Sequence, residues 1–180
     1  MAEWVKQKQP IPRISINVSP YQFRRSSIPA LMLRLLSRYG LDAAKVMLEL
    51  TESALVENIE QAQGFLLELK ALGILLSIDD FGTGYSSLSC LRKLQIQELK
   101  IPQSFVIDIA SSADSQAIAK TILLMAQTLG FSVVAEGIET AEQLDVLLGN
   151  GCEIGQGFLF AHPLTAEELI VRYGADVCPA

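Results

Sequence analysis

Short runs rich in β-branched residues alternate with longer stretches of helical periodicity along the chain. Residues 13–19 (RISINVS) predict a strand, and residues 28–39 an apolar helix stopped by Gly40. Residues 46–50 (VMLEL) predict a second strand. A helix follows over 57–72, ending at Gly73 and weakened in its middle by Gly64. The third strand is expected at 73–79 (GILLSID), before a Gly/Ser-rich loop at 81–87 and a short helix at 87–94. The fourth is expected at 98–102 (ELKIP). Ile118, Ile122, Met125 and Leu129 then mark one face of a helix over 114–129, stopped by Gly130. A fifth strand is read at 131–136 (FSVVAE) and a shorter sixth at 152–158 (CEIGQGF). Thr140 with Gln143, and Thr165 with Glu168, have capping-box spacing and open the last two helices, the second ending near Gly174. Six strands alternating with helices predict an α/β fold with a parallel sheet. An open doubly wound sheet and a (β/α) barrel both satisfy this pattern.

Composition narrows the class. At 180 residues the chain has the size of one domain, and no linker or low-complexity tract divides it. Half of its residues are hydrophobic and 19% are charged, which excludes disorder. A mean hydropathy of +0.34 is rather apolar for a soluble monomer. The net charge is −6, without a basic run, so a nucleic-acid polymer is an unfavourable partner. A small anion held through metal ions is compatible with that charge. Cys90, Cys152 and Cys178 are widely spaced with no CxxC pair, as expected of reduced thiols in a cytoplasmic protein. His162 is the sole histidine, which disfavours histidine-based zinc sites. No signal peptide or membrane-length apolar run is present in this segment.

The polar residues cluster at strand ends. Asn17, Glu49 with Glu52, Asp79 with Asp80, Lys100, Glu136 with Glu139, and Gln156 all fall at or just beyond the C-terminal ends of expected strands. Strands of parallel sheets are apolar on both faces, and a barrel enzyme gathers its chemistry at these ends. Any one of them alone reads equally as a helix cap or a solvated charge, and Lys100 alone as a salt bridge. Asn17, Glu49, Asp79 and Asp80 are hard oxygen donors suited to Mg²⁺ or Mn²⁺. Adjacent aspartates repel unless a cation lies between them. Two such ions suit phosphodiester hydrolysis, with Lys100 and Glu136 placed to position or deprotonate water.

The stretches NVS (17–19), ELTES (49–53), DDFGTGYSSL (79–88), LKI with SFV (99–106), AEGIET (135–140) and GCEIGQGF followed by PL (151–164) resemble, in order, the EAL domain family. The resemblance covers nearly the whole chain. It implies a (β/α) TIM-like barrel that hydrolyses cyclic di-GMP to the linear dinucleotide with Mg²⁺ or Mn²⁺. It further implies that Asn17, Glu49 and Asp79 are metal ligands and Asp80 a ligand of a second metal. Lys100 and Glu136 match the residues that contact or activate the catalytic water, and Gln156 matches a glutamine near the site. Glu52 resembles a glutamate that anchors the loop carrying Gly82 and Gly84, and Glu139 falls in the same substrate-binding or loop-anchoring group. In the family that loop couples the site to dimerisation, although an ordinary tight turn also explains its glycines.

Two departures stand beside the resemblance. The Glu-Ala-Leu tripeptide that names the family, with its metal-binding glutamate and the arginine after it, does not occur in the sequence. Residues 1–180 are therefore expected to be a partial domain without the first strands, and the barrel to be incomplete. The second departure is Pro102, where the family has Lys-Ile-Asp and this chain reads Lys100-Ile101-Pro102. The expectation is little or no phosphodiesterase activity, with a non-catalytic cyclic di-GMP sensor or protein-interaction module as the alternative. A homodimer or larger oligomer is expected from the family and from exposed strand edges, and sensory or cyclase domains in the parent protein.

Overall fold

The computed structural model describes residues 13–25, 27–56, 59–84, 91 and 94–173. The helix expected at 87–94 falls largely outside the described residues, as do residues 85–87 of the loop, Cys90, Cys178 and Gly174. In chain order the elements are β1 (Ile14–Val18), α1 (Pro20–Arg25), α2 (Ile28–Tyr39), a 3-10 turn (Ala43–Lys45), β2 (Val46–Thr51), α3 (Glu52–Val56) and α4 (Ile59–Ala71). They continue with β3 (Leu75–Asp79), β4 (Glu98–Ile101), α5 (Gln103–Val106), α6 (Ala113–Leu129), β5 (Ser132–Ala135), α7 (Ala141–Gly149), β6 (Ile154–Gly155) and α8 (Ala166–Tyr173). The six strands lie in sequence order and every pair is parallel, so the sheet is a half-barrel with helices on its outer side. The open alternative, a doubly wound sheet whose strand order reverses, is excluded by that topology.

Register divides the sheet chemically. Side chains alternate between faces, so residues paired across the ladder share one. Val18, Leu48, Leu50, Leu76, Ile78, Leu99, Ile101 and Ala135 share the outer face and join one hydrophobic core with Ile28, Met32 and Leu36 of α2, Leu66 and Leu69 of α4, and Ile122 and Ala126 of α6. Phe23 of α1 meets Phe65 of α4 edge to face, with centroids 4.8 Å apart. The inner face instead carries a polar row: Asn17 pairs with Glu49, Glu49 with Ser77, Ser77 with Glu98, and Glu98 with Ser132. Glu98 is buried and takes an ion pair at 2.9 Å from Arg13, three strands away. This strut ties β1 to β4 beneath the candidate site.

Caps follow the expected chemistry. Gly40 and Gly130 close α2 and α6 in the left-handed conformation. Thr140 and Gln143 form a complete capping box on α7, and Thr165 and Glu168 exchange the same two hydrogen bonds before α8. Helix α4 runs straight through Gly64, where an added Cβ meets nothing within 4 Å. Gly64→Ala is therefore expected to stabilise the protein by about 0.5–1 kcal/mol, read as a higher urea midpoint; a lower midpoint would contradict it.

The sixth strand is shorter than expected, two residues rather than seven. Gly157 turns the chain inward until its Cα faces the Ile138 backbone, where a Cβ would sit 2.1 Å from the carbonyl oxygen. Gln156 and Leu159 then bond to the β5–α7 connection instead of continuing the ladder. Among the described residues β1 and β6 have one neighbour each.

Candidate active site

The polar strand ends meet at one mouth of the half-barrel. Lys100, near the end of β4, is buried and points its Nζ at three carboxylates: Glu49 of β2 at 2.9 Å, Asp79 of β3 at 3.6 Å, and Glu136 just after β5 at 2.5 Å. Gln156, just after β6, donates to Glu136 Oε1 at 2.7 Å. Four consecutive strands and the one beyond them thus contribute to a single network.

The charges do not balance. One ammonium faces three carboxylates, and Asp80 adds a fourth. Burial pushes the Glu136 carboxyl above the usual range; Lys100 opposes this, while Asp79 and Glu49 add to it. Burial also raises Asp80, the charge of Asp79 raises it further, and Lys100 relieves it only in part. Burial pulls the Lys100 ammonium down, but its hydrogen bonds to Glu136 and Glu49 overcome that and hold it well above the ordinary lysine value. Lys100 is therefore a fixed cation.

Asp79, Asp80 and Glu136 each bring a carboxylate oxygen within 4.8 Å of the others. Three hard oxygen donors converging in a region of excess negative charge fit a divalent cation. The backbone sets this up: Asp80 has φ 53°, an unusual value that aspartate tolerates better than most residues, and its N–H donates to Asp79 Oδ1 at 3.0 Å. Asn17 stands beside Glu49 in the ladder, is exposed, and makes no hydrogen bond to the cluster among the described residues.

Glu52 does different work. It is buried at the start of α3, where it accepts hydrogen bonds from the N–H groups of Gly82 (2.8 Å) and Gly84 (3.3 Å). Gly82 has φ 92°, and a Cβ on Gly84 would fall 2.9 Å from Glu52 Oε1. Gly84 therefore leaves the space that the Glu52 carboxylate fills, whereas Gly82 meets the turn's need for a positive φ. Glu139 lies apart from the Lys100 network; its side chain accepts one long hydrogen bond, 3.3 Å, from Gln103 Nε2.

Pro102 occupies the N-cap of α5 with no side-chain hydrogen bond, and its carbonyl accepts from Phe105. The sequence offered signals for some groups left out of the candidate set. Glu98 precedes Lys100 by two, so strand alternation places both on the inner face. Ser77 likewise precedes Asp79, and its buried Oγ finds no hydrogen-bond partner among the described residues. Cys152, the one cysteine described, is free and buried, and burial pushes its thiol up.

Comparison with known proteins agrees with this architecture. The family model described as "EAL domain" matches residues 1–163. Cyclic di-GMP phosphodiesterase NbdA of Pseudomonas aeruginosa is 44% identical over 170 residues, covering 93% of this chain. The chain spans 22% of that relative's length. The PaMucR phosphodiesterase, solved in complex with cyclic di-GMP, superposes with a TM-score of 0.89 at 37% identity, over 94% of this chain and 68% of that one. BlrP1 of Klebsiella pneumoniae, solved with manganese and cyclic di-GMP at pH 9.0, gives 0.81 at 33% identity, over 90% of this chain and 42% of the other.

Proposed function

The chain belongs to the EAL domain family, and on that premise we propose that it binds cyclic di-GMP and carries a metal-dependent phosphodiesterase site weakened by Pro102. The observation that carries this reading is the Lys100 network joined to the Asp79, Asp80 and Glu136 trio at the strand ends. Asp79, Asp80 and Glu136, with Glu49 and Asn17 beside them, would hold Mg²⁺ or Mn²⁺. A divalent cation there supplies charge stabilisation at the phosphate and acidifies bound water.

The remaining work falls to the chain's own groups. Glu136, raised by burial and steadied by Gln156, is suited to take the proton of the attacking water as the P–O bond to the leaving ribose oxygen breaks. Lys100 orients Glu49, Asp79 and Glu136 and keeps their mutual repulsion from splaying the site. Glu52 holds the loop after β3 in one conformation beside Asp80.

Incubation of the 180-residue chain with cyclic di-GMP and Mn²⁺, with the products chromatographed, tests the reading. Slow conversion to the linear dinucleotide is expected, well below about 1 s⁻¹, the low end of ordinary turnover. Faster turnover would refute the weakening. Tight binding with no conversion at all would favour the sensor reading, which the lack of a carboxylate at position 102 also supports. Self-association belongs to the proposal too: β1 and β6 have one neighbour each among the described residues, and Ile16, Leu148 and Phe158 are exposed beside them. No helix among the described residues is long and apolar enough to cross a membrane.

A further inference from the structure

On the inner face, one ion pair stands apart from the Lys100 network among the described residues: Arg13 Nη2 donates to Glu98 Oε2 at 2.9 Å. Glu98 is buried, and Ser77 beside it in the ladder leaves its own Oγ without a hydrogen bond. Arg13 is therefore the one partner of the Glu98 carboxylate among the described residues. Glu98 sits two residues before Lys100 on β4, and Arg13 four residues before Asn17 at the entrance to β1. The pair thus joins the bases of two strands whose far ends carry candidate site groups.

The contact depends on the curl of the sheet. Following the ladder from Glu98 through Ser77 and Glu49 leads to Asn17, so Arg13 lies three strands away and four residues lower. On a flat sheet that offset separates the two Cα atoms by about 20 Å. One arginine, one glutamate and a 2.9 Å contact do not span it. Curling the sheet and tilting its strands brings positions offset in this way to one height, facing each other across the cup. Two places in the sheet leave that curl weakly held. Among the described residues β1 has β2 as its one neighbour, and β3 and β4 pair in the ladder only at Ser77 with Glu98 and Ile78 with Leu99. The Arg13–Glu98 contact ties down the free edge and crosses the short seam.

Burying a charge in an ion pair adds little net stability over apolar packing of the same volume, so what the pair contributes is direction. We infer that Arg13 and Glu98 are positioning residues of the metal site: their contact fixes the curl that keeps Asn17 on β1 gathered with Glu49 and the strand-end acids. This deepens the proposed function and rests on it. Asn17 makes no hydrogen bond to the acidic cluster among the described residues, so its place is set by β1. The place of β1 is set in turn by its ladder to β2 and by Arg13. Released from Glu98, the edge strand flattens and withdraws an oxygen donor from the set, which a hard divalent cation registers as lost affinity.

Binding of Mn²⁺ to the full chain, followed by loss of the free-ion electron paramagnetic resonance signal, tests the assignment without substrate. The double variant Arg13→Leu/Glu98→Leu removes both charges and leaves no buried carboxylate unpaired, so it is expected to keep a urea midpoint close to wild type. Its affinity for Mn²⁺ is expected to fall by about ten-fold or more. Asn17→Ala should weaken Mn²⁺ in the wild-type background and cost nothing further in the double variant. Arg13→Lys keeps the charge on a shorter arm and should bind Mn²⁺ with an affinity between the two. It decides the matter if the double variant fails to fold, and wild-type affinity there overturns the inference. Wild-type affinity in a folded double variant, or an equal Asn17→Ala effect in both backgrounds, overturns the positioning role and leaves the proposed function standing. If wild type binds no Mn²⁺, both are overturned.

Discussion

Replacing Lys100 with methionine is expected to destabilise the protein by about 3–5 kcal/mol in metal-free buffer, the cost of leaving buried charges without their partner. Methionine keeps an unbranched stem of similar reach, so packing is largely conserved and the change isolates the ammonium. Glu49 is 5% exposed and would remain buried in a site from which its hydrogen-bond donor had gone. Glu136 and Asp79 would lose the same cation. Against a typical total stability of about 5–15 kcal/mol, the variant should unfold at markedly lower urea. Mn²⁺ should raise the thermal midpoint of the variant by more than it raises that of wild type, because the added cation replaces one that is missing. A small urea shift, or equal metal effects, would show that the carboxylates are solvated and Lys100 dispensable.

The second large effect is a gain. Pro102→Asp is expected to raise cyclic di-GMP turnover by about ten-fold or more, equivalent to at least about 1.4 kcal/mol off the barrier. Two features of the position support this. Phe81 N–H donates to the Lys100 carbonyl at 3.2 Å, so the segment after Asp80 runs beside the end of β4, two residues before position 102. Position 102 is also an N-cap without a side-chain hydrogen bond, and aspartate there accepts from the first turn of α5, worth about 0.5–2 kcal/mol. Turnover and thermal midpoint should therefore rise together. A higher midpoint with unchanged turnover would place the deficit elsewhere, and would remove Pro102 as the cause of weak catalysis.

The sheet and its caps were legible in the sequence because local and tertiary demands coincide there. The apolar runs of β2 and β3 are buried on the helix side, and Thr140 and Thr165 satisfy N–H groups that any helix start leaves open. The short helices escaped notice for the opposite reason. At Glu52 and Gln103 the chain turns from a strand directly into one or two helical turns, too short to show a periodic face, and set by what Glu52 and the strand ends require. The acids of the candidate site stood out because charges interrupt otherwise apolar strands. Ser77 and Glu98 share the same inner face but did not stand out: a serine is unremarked in a strand, and a glutamate at its first residue reads as a solvated end. Phe158 falls within the expected sixth strand, which in fact ends at Gly155, and Gln103 opens α5, whose four residues show no periodic face.

The alternation along the inner row has a consequence for how this protein tolerates change. Asn17, Glu49, Ser77 and Glu98 reach the cup because each occupies a position of one parity, while Ile16, Leu48, Ile78 and Leu99 occupy the other. Deleting a single residue within β2 would not shorten the site by a few ångströms. It would turn Glu49 outward among the leucines of the core and swing Leu48 or Leu50 in to face Lys100. Insertions and deletions in this chain are therefore confined to the connections, and within a strand only changes in steps of two preserve which side of the wall each residue stands on.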